Sequence, residues 1–511
     1  MEDLSGIIES ARLPIEIPRQ SYLRDHCVGG RAVLPAVEAA ELLAGAVRRF
    51  LPGTDVTAML DLRFDKFLFL DPETPHPVAF CDIELHENGD IQAVLASRTT
   101  PKKTAMTRVR EHAAMRFSRL KPDRPDLKPD LALDLASAVE GACFTVENDK
   151  IYGELVPFGP AFRNVTQVHV AAGGAIAEIM TPVDPAGEER TRQLGSPFPL
   201  DAAFHAACVW GQCFAGVVAF PLAVDRRRIF RNTRPGDTYF GHVTPVRAEP
   251  NLLIFDLRLF DGDGRLCETA AGVRMRDVSG GKLKPPRWIA GEGRKQTAER
   301  IAARCRAISV IELNSVAPFA SKVLSAEEKI RFEKLGDRRR KSFLAARLAC
   351  KRLSRTLSGH DEVTDPRDIN TVCMDRPHPC CSRTDGGAVY ACSVSHDNRF
   401  SVAVASDRPV GIDVEKVSGR VLTSRRLYMS ESEMALVRAS PLGEAETAVR
   451  IWSIKEAVTK ALDINLADAW RRVRVTTVGV FESRFQIDDD APNLAFHDAV
   501  EQHVFTIICL P

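Results

Sequence analysis

Two short stretches near the end of the chain place charged groups where they can act together. In GIDVEKV, residues 411–417, Asp413 and Glu415 are two apart. On an extended segment both carboxylates point to the same side and can share a hard cation. In WSIKEAVTKAL, residues 452–462, a helix brings Glu456 and Lys460 to one face, since they are four apart. Three carboxylates beside a lysine form the pattern expected for Mg²⁺ holding a phosphate-bearing substrate. Near the start, His26 lies in HCVGGRAVLP, where Gly29 and Gly30 permit close backbone approach and Pro35 sits where a helix can begin. A histidine there can meet a substrate laid along the helix N-terminus, whose free N–H groups suit a carbonyl gaining negative charge. Asp201 opens a second apolar helix, with His205 one turn later on the same face. Taken singly, each feature has a plainer reading. Asp201 serves as a helix cap, His26 as a loop histidine, GxDxE as a strand end, and Glu456–Lys460 as a surface ion pair.

The elements that must position these groups are legible as well. SRLKPDRPDLKPD, residues 118–130, and DVSGGKLKPPRWIAGEGRK, residues 277–295, are rich in Pro, Gly and charge and read as exposed connections. They divide the chain into 1–118, 131–277, a linker over 278–300, and 301–511. The first two blocks each hold one apolar helix, Pro35 to Phe50 and Asp201 to Cys213, among β-like runs such as FDKFLFL, VAFCDIELHE, TYFGHVTPV and LLIFDLRLF. DGDG at 261–264 is a turn between strands. One helix wrapped by an antiparallel sheet, twice over, is an α+β plan, and the third block mixes helices and strands in the same way.

At 511 residues the chain is too long for one typical domain. A net charge of +1, from 69 basic and 68 acidic residues, argues against a dedicated nucleic-acid or anionic-membrane binder. Residues 205–224 are apolar, but His205, Gln212 and Pro221 favour a buried helix and strand over a membrane span. No signal-peptide pattern opens the chain, and its 13 cysteines lack scaffold spacing, so the expectation is a cytoplasmic protein with reduced thiols. Cys373, His378, Cys380 and Cys381 lack the paired spacing of a zinc site.

In order along the chain, HxxxGxxxxP at 26–35, FGPAF at 158–162 and DxxxH at 201–205 resemble the dehydratase domain of polyketide synthases. The resemblance covers about residues 1–280 and implies a double hot-dog fold. Phe158 stands where tyrosine is usual, and Ala36 where glycine is. By this resemblance, His26 would take the proton beside the thioester carbonyl of a carrier-bound 3-hydroxyacyl chain, and Asp201, kept protonated by burial, would protonate the departing hydroxyl. Gly30, Pro35, Gly159, Pro160 and His205 would support them. The alternative is a dehydratase-like half that serves as a non-catalytic scaffold for carrier docking.

The GIDVEKV and WSIKEAVTKAL motifs, 43 residues apart from Asp413 to Glu456, resemble 4′-phosphopantetheinyl transferases of the pseudodimeric class. This second resemblance covers about 309–511. It implies Mg²⁺ on Asp413, Glu415 and Glu456, coenzyme A as substrate, and a serine of an acyl carrier protein as acceptor, with Glu456 the candidate base. Arg331, Lys341, Ser395, His396, Lys455 and Lys460 would contact coenzyme A, and Arg376 of MDRPHP would replace the family's lysine. RRLYMSESEMALV, residues 425–437, resembles the carrier-docking region. The resemblances together imply an enzyme of polyketide or fatty acid biosynthesis that is a monomer or loose dimer.

Overall fold

The computed structural model describes residues 6–17, 20–70, 78–99, 108–118, 144–156, 158–171, 173–183, 192–289, 300–312, 323–358, 366–372, 381–382, 389–488, 490–500 and 502–511. They form two compact units, the first ending near residue 290 and the second following it. Helices of eight residues or more are numbered here in chain order.

The first unit is a single twelve-stranded sheet around two helices. In sheet order, Ile7–Ile15, Val78–His86, Ile91–Thr99, Arg108–Phe117 and Ala58–Arg63 form the half that wraps α1, Ala36–Phe50. Ala58–Arg63 then pairs antiparallel with Phe220–Ile229, joining the halves. Leu266–Arg276, Leu252–Asp261, Thr238–Glu249, Gly174–Met180, Val165–Ala171 and Phe144–Glu147 complete the half that wraps α2, Phe198–Trp210. α1 carries an apolar stripe, with Val37, Ala40, Leu43, Ala44 and Val47 buried. Every residue of α2 is buried. The sheet and helix plan expected for a double hot dog is therefore the observed one.

Three details differ from expectation. α2 begins at Phe198, because Pro199 fits the first turn of a helix, so Asp201 lies inside the first turn and does not cap it. FDKFLFL forms no strand beyond one bridge from Val33 to Phe69, since its aromatic side chains line a cavity and do not pair with a ladder. Within the expected linker, the end of the described segment is tied to the first unit: Ile289 is 2% exposed, and the Trp288 indole N–H donates to Glu154. Residues 278–289 belong with the first unit.

The second unit has two antiparallel sheets. One runs Ala307–Glu312, Phe400–Ser406, Val389–His396, Cys381–Ser382; the other runs Val410–Lys416, His503–Cys509, Asn493–Val500, Glu482–Ile487, Val473–Thr477. A single device appears twice. Ser325 and Glu328 form a capping box on α3, Ala326–Glu333, and Glu328 pairs at 2.7 Å with Lys351 of α4, Asp337–Ser358. Ser430 and Glu433 do the same on α5, Glu431–Ala439, and Glu433 pairs at 3.0 Å with Lys455 of α6, Glu444–Leu462. Each pair is fully buried, and its remaining oxygen accepts a backbone N–H, from Thr371 or Val475. This internal echo fits the pseudodimeric plan.

Candidate functional site

The first unit encloses a cavity of about 570 Å³ lined by His26, Phe158, Asp201, Phe204 and His205 among others. His26 follows a short 3-10 turn, Ser21–Asp25, and precedes a hairpin, Cys27–Val28 with Arg31–Ala32. The turn of that hairpin is Gly29–Gly30, at φ +59° and +77°, a conformation that glycine supplies without strain. The His26 Nδ1 lies 3.2 Å from the Val33 carbonyl, which can only accept. Nδ1 therefore carries the hydrogen, and Nε2 keeps a lone pair. Phe158 stacks on the imidazole at 4.4 Å, and Phe162 meets it edge-on at 5.0 Å. Gly159 and Pro160 hold that aromatic wall in place, with the Gly159 N–H donating to Asp25 O and the Ala161 N–H to Asp25 Oδ2. Pro35 is the cap residue of α1. Burial holds the His26 imidazole below its usual range, so it is a neutral base near pH 7.

On α2, Asp201 Oδ2 and His205 Nε2 lie 3.2 Å apart, out of line for a direct hydrogen bond, and both atoms are buried without another partner. Tyr152 supports this pair. Its phenol oxygen accepts from the Val165 N–H at 3.0 Å and lies 3.2 Å from His205 Nδ1. A phenol hydrogen directed at Nδ1 leaves the imidazole hydrogen on Nε2, toward Asp201. Burial pushes the Asp201 carboxyl up, but His205 and then His26 outweigh it and hold it below its usual range. The expectation that burial keeps Asp201 protonated is thus corrected. A proton available for a leaving hydroxyl belongs to the Asp201–His205 pair as a unit.

In the second unit, strand Val410–Lys416 lies against α6. Asp413 Oδ1 accepts from Ser395 Oγ at 2.8 Å and from Lys460 Nζ at 2.9 Å, while Asp413 Oδ2 is buried with no partner. Lys460 also donates to Ser395 Oγ and the Ile412 carbonyl. Glu415 accepts from the Trp452 indole N–H at 3.2 Å. Burial and then the charge of Asp413 push the Glu415 carboxyl up to about 7, and the same two causes raise Glu456. Among the described residues no three such side chains already converge as a finished metal cage. Three mutually repelling carboxylates with one orphaned, buried oxygen nonetheless suit a hard divalent cation.

The expected coenzyme A contacts sort unevenly. Lys460 and Ser395 join Asp413, but Ser395 is committed to that carboxylate, so it orients the ligand set. His396 is exposed at the end of the same strand, and Arg331 and Lys341 are exposed on α3 and α4. Arg376, and the Cys373–Cys380 stretch weighed for zinc, lie outside the described residues. Lys455 is corrected. It is 1% exposed, with its ammonium donating to Glu433 and to the Tyr428 carbonyl, so it braces the fold and cannot reach a substrate. Tyr152 went unnoticed in the sequence, since a lone tyrosine before a loop carries no spacing signal.

The first unit thus sets an imidazole against a carboxylate–imidazole pair in one cavity, and the second carries a carboxylate trio with a lysine. Residues 12–97 match the family model described as polyketide synthase dehydratase domain, and residues 133–285 that described as polyketide synthase dehydratase N-terminal domain. Residues 409–508 match the 4′-phosphopantetheinyl transferase superfamily. The chain thus joins a polyketide synthase dehydratase domain to a domain of that superfamily. Over 288 residues it is 23% identical to polyketide synthase PksM of Bacillus subtilis, covering 52% of this chain and 6% of the relative. Over 225 residues it is 28% identical to a mycocerosic acid synthase-like polyketide synthase of Mycobacterium tuberculosis, covering 42% of this chain and 10% of the relative. The chain therefore spans about a tenth or less of the length of these curated relatives. Among solved structures, the dehydratase domain of a mycocerosic acid synthase-like polyketide synthase is 20% identical, covering 53% of this chain and 92% of that one, with a TM-score of 0.43.

Proposed function

We propose that this chain transfers 4′-phosphopantetheine from coenzyme A to a serine of an acyl carrier protein and dehydrates 3-hydroxyacyl thioesters on such a carrier. The transfer reading rests on the unpartnered, buried Asp413 Oδ2 beside Glu415 and Glu456. Asp413, Glu415 and Glu456 would hold Mg²⁺, which when bound supplies charge neutralisation for a diphosphate. Ser395 and Trp452 orient two of those carboxylates. Glu456 takes the proton of the carrier's serine hydroxyl as that oxygen bonds to the β-phosphorus. The bond to the 3′,5′-ADP phosphate breaks, and Lys460 offsets the charge left on it. Positioning and charge account for most of what such a step requires.

Dehydration is supported by the shared cavity of His26 and the Asp201–His205 pair. His26 Nε2 takes the proton next to the thioester carbonyl. The hydroxyl leaves as water with the proton of the Asp201–His205 pair, and a double bond forms between the two carbons. Tyr152 holds His205 for that transfer.

The test is direct. Purified protein with coenzyme A and Mg²⁺ should add a phosphopantetheine arm to an apo carrier, read by mass, and Asp413→Ala or Glu456→Gln should abolish it. His26→Ala or Asp201→Asn should stop dehydration and leave transfer intact. Transfer undiminished in both carboxylate variants refutes the metal assignment. A wild type that dehydrates no carrier-bound 3-hydroxyacyl chain favours the scaffold role.

A further inference from the structure

The cavity that holds His26 and Asp201 opens beneath the ends of four neighbouring strands. The Lys66 N–H donates to the His112 carbonyl, the Phe64 N–H donates to the Leu222 carbonyl, and Phe220 is in register with Arg276. Residues 110–112, 64–66, 220–222 and 275–276 therefore stand side by side along one end of the sheet. Neighbouring strands are about 4.8 Å apart, so Lys66 and Arg276, two strands apart, have backbones about 10 Å from each other. Arg110 lies two residues beyond His112, on the far side of Lys66. Long side chains at these spacings can close on one point.

Lys66, Arg110 and Arg276 all line the cavity, and all three are exposed at its rim. Among the described residues none of them has a carboxylate partner. The rim has two acids. Asp277 spends its carboxylate on Ser279 and on the Gly281 N–H, which leaves Asp65 alone against three cations. Lys66 and Arg110 also act with burial to hold His112 below its usual range, so both cations stand close to the cavity wall. Unpaired cations at the mouth of an otherwise apolar pocket are a built site for an anion that stays outside while its apolar or neutral tail goes in.

We propose that Lys66, Arg110 and Arg276 bind the phosphate of a 4′-phosphopantetheine arm whose acyl thioester lies between His26 and Asp201. This rests on the dehydration reading above. The phosphate can come from a carrier-tethered arm or from a coenzyme A thioester, since the chemistry is the same.

The experiment compares kcat/KM of the full-length protein, without apo carrier present, on one 3-hydroxyacyl group attached to pantetheine, to coenzyme A and to a holo carrier. Wild type should prefer the coenzyme A thioester over the pantetheine thioester by about tenfold, a preference that shrinks with added salt because the cations are exposed. The triple variant Lys66→Ala, Arg110→Ala, Arg276→Ala should turn over the pantetheine thioester within about twofold of wild type and lose the preference. A loss shared by coenzyme A and holo carrier places the phosphate of both at this rim. A loss with coenzyme A alone would mean the carrier-borne phosphate binds elsewhere and overturns the tethered arm as ligand. Equal wild-type rates with and without phosphate, a preference that survives in the variant, or an equal fall on all substrates overturns the inference while leaving dehydration standing. A wild type that dehydrates none of the three overturns the dehydration reading, and this inference with it.

Discussion

Gly411 to Ala is the smallest change that should disable the transferase site without touching any of its charged groups. A Cβ at position 411 would sit 1.8 Å from the Ala457 carbonyl oxygen of α6, where ordinary contact begins at 3.4 Å. Strand and helix would have to part by about 1.6 Å, and the obstacle is backbone, which cannot swing aside. The strand carries Asp413 and Glu415, and Ala457 directly follows Glu456, so the displacement falls on the carboxylate trio itself. Misplacement of about 1 Å costs roughly 100-fold in rate, while overpacking costs about 1–3 kcal/mol of stability. Phosphopantetheine transfer to an apo carrier, followed by mass spectrometry, should therefore fall at least about 100-fold in Gly411→Ala. The unit should stay folded by circular dichroism. Gly419→Ala is the control, because its Cβ would meet nothing within 4 Å. Should Gly411→Ala retain more than about a tenth of the wild-type transfer rate while folded, the close packing of strand on helix is not what aligns the carboxylates.

Three further outcomes are expected. Tyr152→Phe removes the hydroxyl that assigns the His205 hydrogen to Nε2, so kcat for dehydration should drop about tenfold or more and its pH profile should shift, whereas an unchanged profile would make Tyr152 a packing residue only. Lys455→Met should lower the thermal midpoint, because it strands Glu433 unpaired and buried, yet leave the KM for coenzyme A unchanged; a raised KM with a normal midpoint would restore Lys455 as a substrate contact. His497, buried between Thr506 and Ser483, has its pKa lowered to about 3 by burial and then Arg450. Its folded pKa lies below the unfolded one, so its contribution is present above about pH 6.5 and is lost on acidification toward 3. The second unit should lose about 1.4 kcal/mol per pH unit in that window from this residue alone, and acid unfolding of His497→Gln should be shallower by that slope.

Local spacing accounts for what could be read in the sequence. Asp413 and Glu415 share a strand face because extended chain repeats every two residues, and Glu456 and Lys460 share a helix face because helices repeat near four. The two apolar helices, the DGDG turn and the break near 290 were legible for the same kind of reason. What stayed hidden depends on tertiary partners. Lys455 and Lys460 are indistinguishable as letters, and only the capping-box Glu433 across the core decides that one is buried. Ser395 looks like a phosphate contact until Asp413 is seen 2.8 Å away. Burial alone predicts a protonated Asp201, and the two imidazoles facing it reverse the sign. The 278–289 segment reads as linker by composition, but Ile289 is buried and the Trp288 indole N–H reaches Glu154, contacts that no local pattern announces.

The central claim is that one chain loads a carrier with its arm and then dehydrates what the arm bears. One mass measurement tests both halves: full-length protein, Mg²⁺, an apo carrier and a 3-hydroxyacyl-coenzyme A, sampled over time. The carrier should end bearing the 3-hydroxyacyl-phosphopantetheine arm less one water, with Asp413→Ala leaving the carrier unloaded and His26→Ala loading it without loss of water. A carrier that never gains the arm, or gains it and never loses water across several acyl chains, would contradict the account at the corresponding site.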